Sequence, residues 1–152
     1  MNIMNNKYKI GVVGLGYVGL PLAVEFGKKY STIGYDVSLY RVQELINGID
    51  ITGETSKLKI KSSLQLSFSS NIEDLSKCNI FIIAVPTPIN KKNIPDLKML
   101  LSATNSIGSI IKKNDIVIYE STVYPGCTEE DCVPVLEEVS GLKYNKDFFC
   151  GY

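Results

Sequence analysis

The chain has 152 residues, 45% of them hydrophobic, and its sixteen basic and sixteen acidic side chains cancel. That length and apolar content describe one folded domain with a real core and exclude a disordered chain, while the balanced charge, with no basic block beyond residues 57–61 and 91–92, argues against nucleic acid as a partner. No apolar run approaches membrane-spanning length, and the opening "MNIMNNKYK" lacks the hydrophobic segment of a signal peptide, so no membrane partner and a cytoplasmic location are expected.

In chain order, residues 10–13 are β-branched on either side of Gly11 and read as a buried parallel strand. Residues 18–26 carry apolar side chains densely enough for a helix packed on a sheet. Between them Gly14, Gly16 and Gly19 spell G-x-G-x-x-G. In that pattern the first glycine permits a tight turn, the second leaves room for a pyrophosphate beside the backbone, and the third lets helix and strand pack closely. The helix start then offers free N–H groups and the positive end of its dipole to phosphates. Such turns also occur without a ligand, so the pattern requires an acidic residue about 20 positions on. Residues 31–35 form a second strand, and Asp36 ends it. A carboxylate there accepts from both adenosine ribose hydroxyls and repels a 2′-phosphate, which favours NAD over NADP. Its alternative use is as a helix cap. Leu39, Val42, Leu45 and Ile46 follow at helical spacing. Arg41 on that helix either lies over the adenine or near the phosphates, or is a solvated cation on the helix face, and spacing alone favours the solvated reading.

Residues 48–63, "GIDITGETSKLKIKSS", are polar and weakly patterned, which predicts a surface excursion with one helical turn. Residues 64–69 alternate like a short strand, "NIEDLSKC" is a brief capped helix, and "NIFIIAVP" is a central strand ended by Pro86. "PDLKMLLSATNSIGSIIKK" holds helical spacing through Leu97, Leu100, Leu101, Ile107 and Ile111. "DIVIYES" is a strand, "TVYPG" a turn, "TEEDCVPVLEEV" a helix and "DFFCGY" a last strand. The alternation predicts an α/β domain over residues 1–152: a Rossmann-type doubly wound, mainly parallel sheet with helices on both faces and its ligand across the carboxyl ends of the strands.

The residue inventory narrows the chemistry. With no histidine, the chain contains no Ser-His-Asp or Cys-His pair and no imidazole metal ligand. Cys78, Cys127, Cys132 and Cys150 are scattered and lack zinc or redox spacing, so buried reduced thiols and no metal are expected. Two loops stand out at strand ends. One is "VPTPIN", beginning Val85, Pro86, Thr87, and the other is "ESTVYPG", with Ser121 and Thr122 at its strand tip. Both fall where the nicotinamide half of a dinucleotide would lie, although proline-threonine turns are also ordinary loop chemistry.

Taken in order, "GVVGLGYVGLPLAVEFG", "GYDVSLYRVQELINGIDITGE", "IAVPTPIN" with "IPDL", and "YESTVYPGCTEE" resemble the NAD-binding N-terminal domain of the UDP-glucose/GDP-mannose dehydrogenase family, the nucleotide-sugar 6-dehydrogenases. The wording is most similar to the branch that oxidises UDP-N-acetylhexosamines, including Vi-antigen-type polysaccharide enzymes. The resemblance implies that Tyr17 and Val18 line the pyrophosphate with Gly16, that Asp36 holds the adenosine ribose, and that Arg41 stands where the family has a basic adenosine contact. It implies Thr87 near the nicotinamide-side ribose and Thr122 beside the nicotinamide, positioning reacting groups and water. Such enzymes oxidise a sugar C6 alcohol to a carboxylate with two NAD, through a cysteine thiohemiacetal and a thioester, and act as homodimers on a UDP-sugar.

The chain also departs from that pattern. The family's nucleophilic cysteine, its lysine and asparagine helpers and its sugar-binding region have no counterpart in these residues, and none of the four cysteines matches the catalytic thiol. The S-P-E segment would begin after Tyr152. The expectation is a piece of a longer dehydrogenase that by itself binds NAD without turnover. The alternative is a stand-alone NAD-binding or regulatory module. Another Rossmann dehydrogenase, of the 3-hydroxyacyl type, explains the glycines but not the two loops.

Overall fold

A computed structural model describes residues 7–89 and 95–152. Six strands form one sheet: β1 (Lys9–Val13), β2 (Ser31–Tyr35), β3 (Leu66–Ser69), β4 (Ile80–Ile83), β5 (Ile116–Tyr119) and β6 (Phe149–Gly151). Their spatial order is β3-β2-β1-β4-β5-β6, and every neighbouring pair is parallel. The chain therefore winds outward in one direction from β1, returns to β4 and winds outward in the other. The β1/β4 junction is the switch point at which a doubly wound sheet opens a crevice.

Both faces of the sheet are buried, and the strand alternation divides the core in two. Ile10, Val12 and Ile82 point to one side, where they pack with Leu15, Leu20, Val24, Leu45 and Ile60. Val13, Phe81 and Ile83 point to the other, against Leu100, Ile107, Leu136 and Phe148. The first side is covered by α1 (Gly19–Phe26), α2 (Leu39–Ile46) and α3 (Lys57–Ser62), the second by α4 (Lys98–Gly108) and α5 (Val133–Ser140). Two buried faces explain why the central strands β1, β4 and β5 read as nearly continuous apolar runs.

Several boundaries differ from the sequence expectation for local reasons. Leu64 is exposed and β3 begins only at Leu66, after the chain has turned from α3. The helix expected to reach Ile111 ends at Gly108, yet Ile110 and Ile111 remain in the core from the following turn. "TEEDCVPVLEEV" opens with a π-type turn, Thr128–Cys132, and becomes α-helical only from Val133. Pro134 has no N–H for a bond four residues back, and the Val133 N–H reaches five residues back to the Thr128 carbonyl. Residues 72–77 form a 3₁₀ turn whose first residues are capped by Asn71, its Oδ1 accepting from the Glu73 N–H.

The 48–63 segment departs most from its reading. It carries α3, capped by Ser56 and anchored by buried Ile60. Its first half is packed inward as well: Thr55 is buried and the Asp50 side chain is only 1% exposed. Among the described residues no helix is long and apolar enough to cross a membrane, and no cluster of His, Cys, Asp and Glu could hold a metal ion.

Candidate functional site

The three glycines sit at the carboxyl end of β1, and each is required for a different reason. Gly14 has φ +91° and an added Cβ would lie 2.9 Å from the Ala84 carbonyl oxygen, so both conformation and space demand glycine there. At Gly19 a Cβ would fall 1.8 Å from the Gly14 carbonyl oxygen, which sets how closely α1 rests on β1. Gly16 is the opposite case. A Cβ at Gly16 meets no atom within 4 Å, so its emptiness faces open space and leaves a concavity beside the backbone. The N–H groups of Gly16, Tyr17 and Val18 find no acceptor among the described residues, the condition of backbone donors able to bind an anion.

Asp36 lies at the tip of β2, facing this loop. Its Oδ2 accepts from the Leu15 N–H at 3.0 Å and its Oδ1 from the Ser38 N–H at 2.9 Å. The cap of α2 is Ser38, whose hydroxyl accepts from the Arg41 N–H, so Asp36 is not spent on that helix. Each carboxylate oxygen keeps a further lone pair for a ligand hydroxyl.

A cleft of about 390 Å³ runs from Asp36 past Gly14, Gly16, Tyr17 and Val18 to Val85, Pro86, Thr87, Ser121 and Thr122. The two loops at its far end are tied together. The Ser121 hydroxyl donates to the Val85 carbonyl at 2.7 Å, and the Thr87 hydroxyl donates to the Thr122 carbonyl. Of the "VPTPIN" loop, Asn90 lies outside the described residues. A second hollow of about 300 Å³ adjoins the first at Gly14, Asp36 and Pro86 and extends between Val37 and the start of α4 at Met99 and Ser102. The whole depression is long and jointed, with a carboxylate near its middle, backbone donors on one wall and hydroxyls at one end.

All the residues expected at the site line this depression except Gly19 and Arg41. Gly19 lies beneath it as a packing residue. Arg41 is 8% exposed, which overturns the solvated helix-face reading: its Nε and Nη2 donate to the Leu15 carbonyl at 2.9 and 2.8 Å, and Nη2 also reaches Asp50 Oδ1 at 2.7 Å. A helix residue this close to a turn carbonyl is drawn in by a partner that spacing along its own helix cannot reveal. Sequence reasoning also missed Leu15, Ala84, Val37, Met99 and Glu120 as lining residues. Val37 and Glu120 each stand next to a residue that was found, and "PDLKM" places Met99 at the start of a helix on the carboxyl side of the sheet, so position relative to strand ends would have found them.

The thiols have a different character. All four are free, with Cys78, Cys127 and Cys132 buried and Cys150 partly so. Burial pushes the Cys78 thiol up to about 11 and raises Cys127, Cys132 and Cys150 as well, so each stays protonated at neutral pH.

Residues 8–150 match the UDP-glucose/GDP-mannose dehydrogenase family, NAD binding domain. The chain is 60% identical over 144 residues to the UDP-N-acetyl-D-glucosamine 6-dehydrogenase of Pseudomonas aeruginosa, covering 95% of this chain and 34% of that protein. It is 51% identical over 147 residues to the enzyme of the same name from Salmonella typhi, covering 97% and 35%. The solved UDP-D-ManNAc dehydrogenase of Pyrococcus horikoshii superposes with a TM-score of 0.87 at 33% identity, over 93% of this chain and 35% of that one. The chain thus spans about a third of the length of the relatives it matches.

Proposed function

The chain belongs to the UDP-glucose/GDP-mannose dehydrogenase family as its NAD-binding domain, and from that premise we propose that it serves a UDP-N-acetylhexosamine 6-dehydrogenase that makes uronate precursors of surface polysaccharide in the cytoplasm. The observation that carries the dinucleotide reading is the open concavity at Gly16, walled by unpaired N–H groups and faced by the Asp36 carboxylate across one cleft. Gly14, Gly16, Tyr17 and Val18 would hold the pyrophosphate, and Asp36 the adenosine ribose. The largely apolar hollow between Val37 and Met99 would take the adenine. Val85, Pro86, Thr87, Ser121 and Thr122 would surround the nicotinamide ribose and ring.

NAD, when bound, accepts a hydride from the sugar C6. What these residues add is placement. The Ser121 and Thr87 bonds fix the two loops against each other, so the Thr122 side chain is presented from a braced turn. A hydroxyl alone is a poor base at neutral pH, so Thr122 positions groups and does not abstract a proton by itself. The substrate class is drawn from relatives 60% and 51% identical that carry the UDP-N-acetyl-D-glucosamine name. The parent protein is a homodimer on this reading. The test is to supply the complete protein carrying this domain with NAD and a panel of UDP-hexoses and UDP-N-acetylhexosamines and to follow NADH absorbance. Turnover of a UDP-N-acetylhexosamine is expected, and turnover confined to UDP-glucose would overturn the substrate assignment.

A further inference from the structure

Both peptide groups of Leu15, the residue between the first two glycines, are held. Its N–H donates to Asp36 Oδ2, and its carbonyl accepts the fork of Arg41 Nε and Nη2. Arg41 is in turn fixed by Asp50, whose carboxylate also accepts from the Thr52 N–H and hydroxyl and from the Thr55 N–H. The pair is nearly sealed, with the Arg41 side chain 10% exposed and that of Asp50 1%.

A trans peptide is planar, and its C=O points opposite to the next residue's N–H. Holding the Leu15 carbonyl inward on Arg41 therefore turns the Gly16 N–H outward, toward the concavity where no Cβ intrudes. If the 15–16 peptide flipped, the site would present a carbonyl oxygen to an anion and lose a donor. We infer that Asp50, acting through Arg41, is a positioning residue for the dinucleotide pyrophosphate: the buried pair locks the 15–16 peptide in the one orientation that offers the Gly16 N–H. The inference rests on the proposed dinucleotide site.

A buried ion pair contributes little net stability once its desolvation is counted, so conformational specificity is the better account of its presence. Arg41 Nη1 and Glu44 Oε2 are buried, 3.9 Å apart, and neither has a hydrogen-bond partner among the described residues. Without Asp50, Glu44 would be the carboxylate left within 4 Å of the guanidinium and would draw it from the Leu15 carbonyl.

The experiment titrates NAD, ADP-ribose and adenosine, the last at millimolar concentration by NMR, into the parent chain and into Asp50→Ala and Asp50→Asn. NAD and ADP-ribose affinity should fall tenfold or more in Asp50→Ala, while adenosine, which has no pyrophosphate, changes less than twofold. The ligand-free Gly16 amide resonance should move in the same variant. Asp50→Asn keeps one acceptor for Arg41 and should fall between parent and Asp50→Ala; it is read alone if the alanine variant does not fold. Parent-like NAD affinity in the folded variants, or an equal proportional loss of adenosine, would overturn the positioning role. Failure of the parent chain to bind any of the three would instead overturn the dinucleotide reading.

Discussion

Gly16 and Gly19 differ by three positions and by everything that matters when a side chain is added. At Gly16 the added atoms enter open space, so Gly16→Val is expected to leave the melting temperature within a degree or two of the parent while abolishing NAD binding, as calorimetry and thermal denaturation together would show. At Gly19 even one methyl group meets a backbone oxygen at 1.8 Å. Gly19→Ala should lose about 3 kcal/mol of stability, since the helix must lift from the strand; urea titration checks this, and a parent-like midpoint would contradict the packing assigned to α1. Asp36→Ala removes an acceptor from the Leu15 and Ser38 N–H groups and, on the proposed reading, from the adenosine ribose. It should cost roughly 1.5–3 kcal/mol in NAD binding and narrow the preference over NADP. The geometry of the three glycines was legible from spacing because it is backbone geometry, which follows the G-x-G-x-x-G pattern directly, and the place of Asp36 was legible from the end of the second strand.

Among the elements, the 48–63 segment was the least legible. Its first half reads as polar loop because its burial is purchased by one charge pair spanning nine residues, which leaves no hydrophobic period. The same pair makes a pH prediction. Burial alone would raise the Asp50 carboxyl, but the Arg41 guanidinium and the Thr52 and Thr55 donors outweigh it and hold it below its usual range. A depressed folded pKa stabilises the fold above the unfolded value of about 3.9, and that stabilisation is lost as pH falls through the folded value. Asp115, raised by burial, has the opposite sign and offsets part of it. Stability followed by circular dichroism from neutral pH downward should therefore fall less steeply in Asp50→Asn than in the parent; parallel curves would contradict the assignment. Strands β1, β4 and β5 were legible because burial on both faces writes a nearly continuous apolar run, whereas β2, STIGY, was legible from its place between the glycine turn and Asp36. The π-type turn at Thr128–Cys132 was not, because its cause is one missing N–H at Pro134.

At the scale of the molecule, the order β3-β2-β1-β4-β5-β6 brings Asp36, the glycine loop and both hydroxyl loops to one edge, though they are spread from residue 14 to residue 122. That convergence is a property of topology, which the alternation of strands and helices predicted and the sheet order realises. Binding and turnover should separate in these 152 residues. The described thiols are all held protonated by burial, so incubation with NAD and UDP-sugars should yield no sustained NADH. Sugar-dependent NADH abolished by replacing one of the four cysteines would contradict this. The central claim is that the cleft is an NAD site whose cofactor choice is made by Asp36. Calorimetric titration of the chain with NAD and with NADP tests it most directly: saturable binding of NAD with clearly weaker binding of NADP is predicted, and equal affinity for the two, or no binding of either, would contradict it.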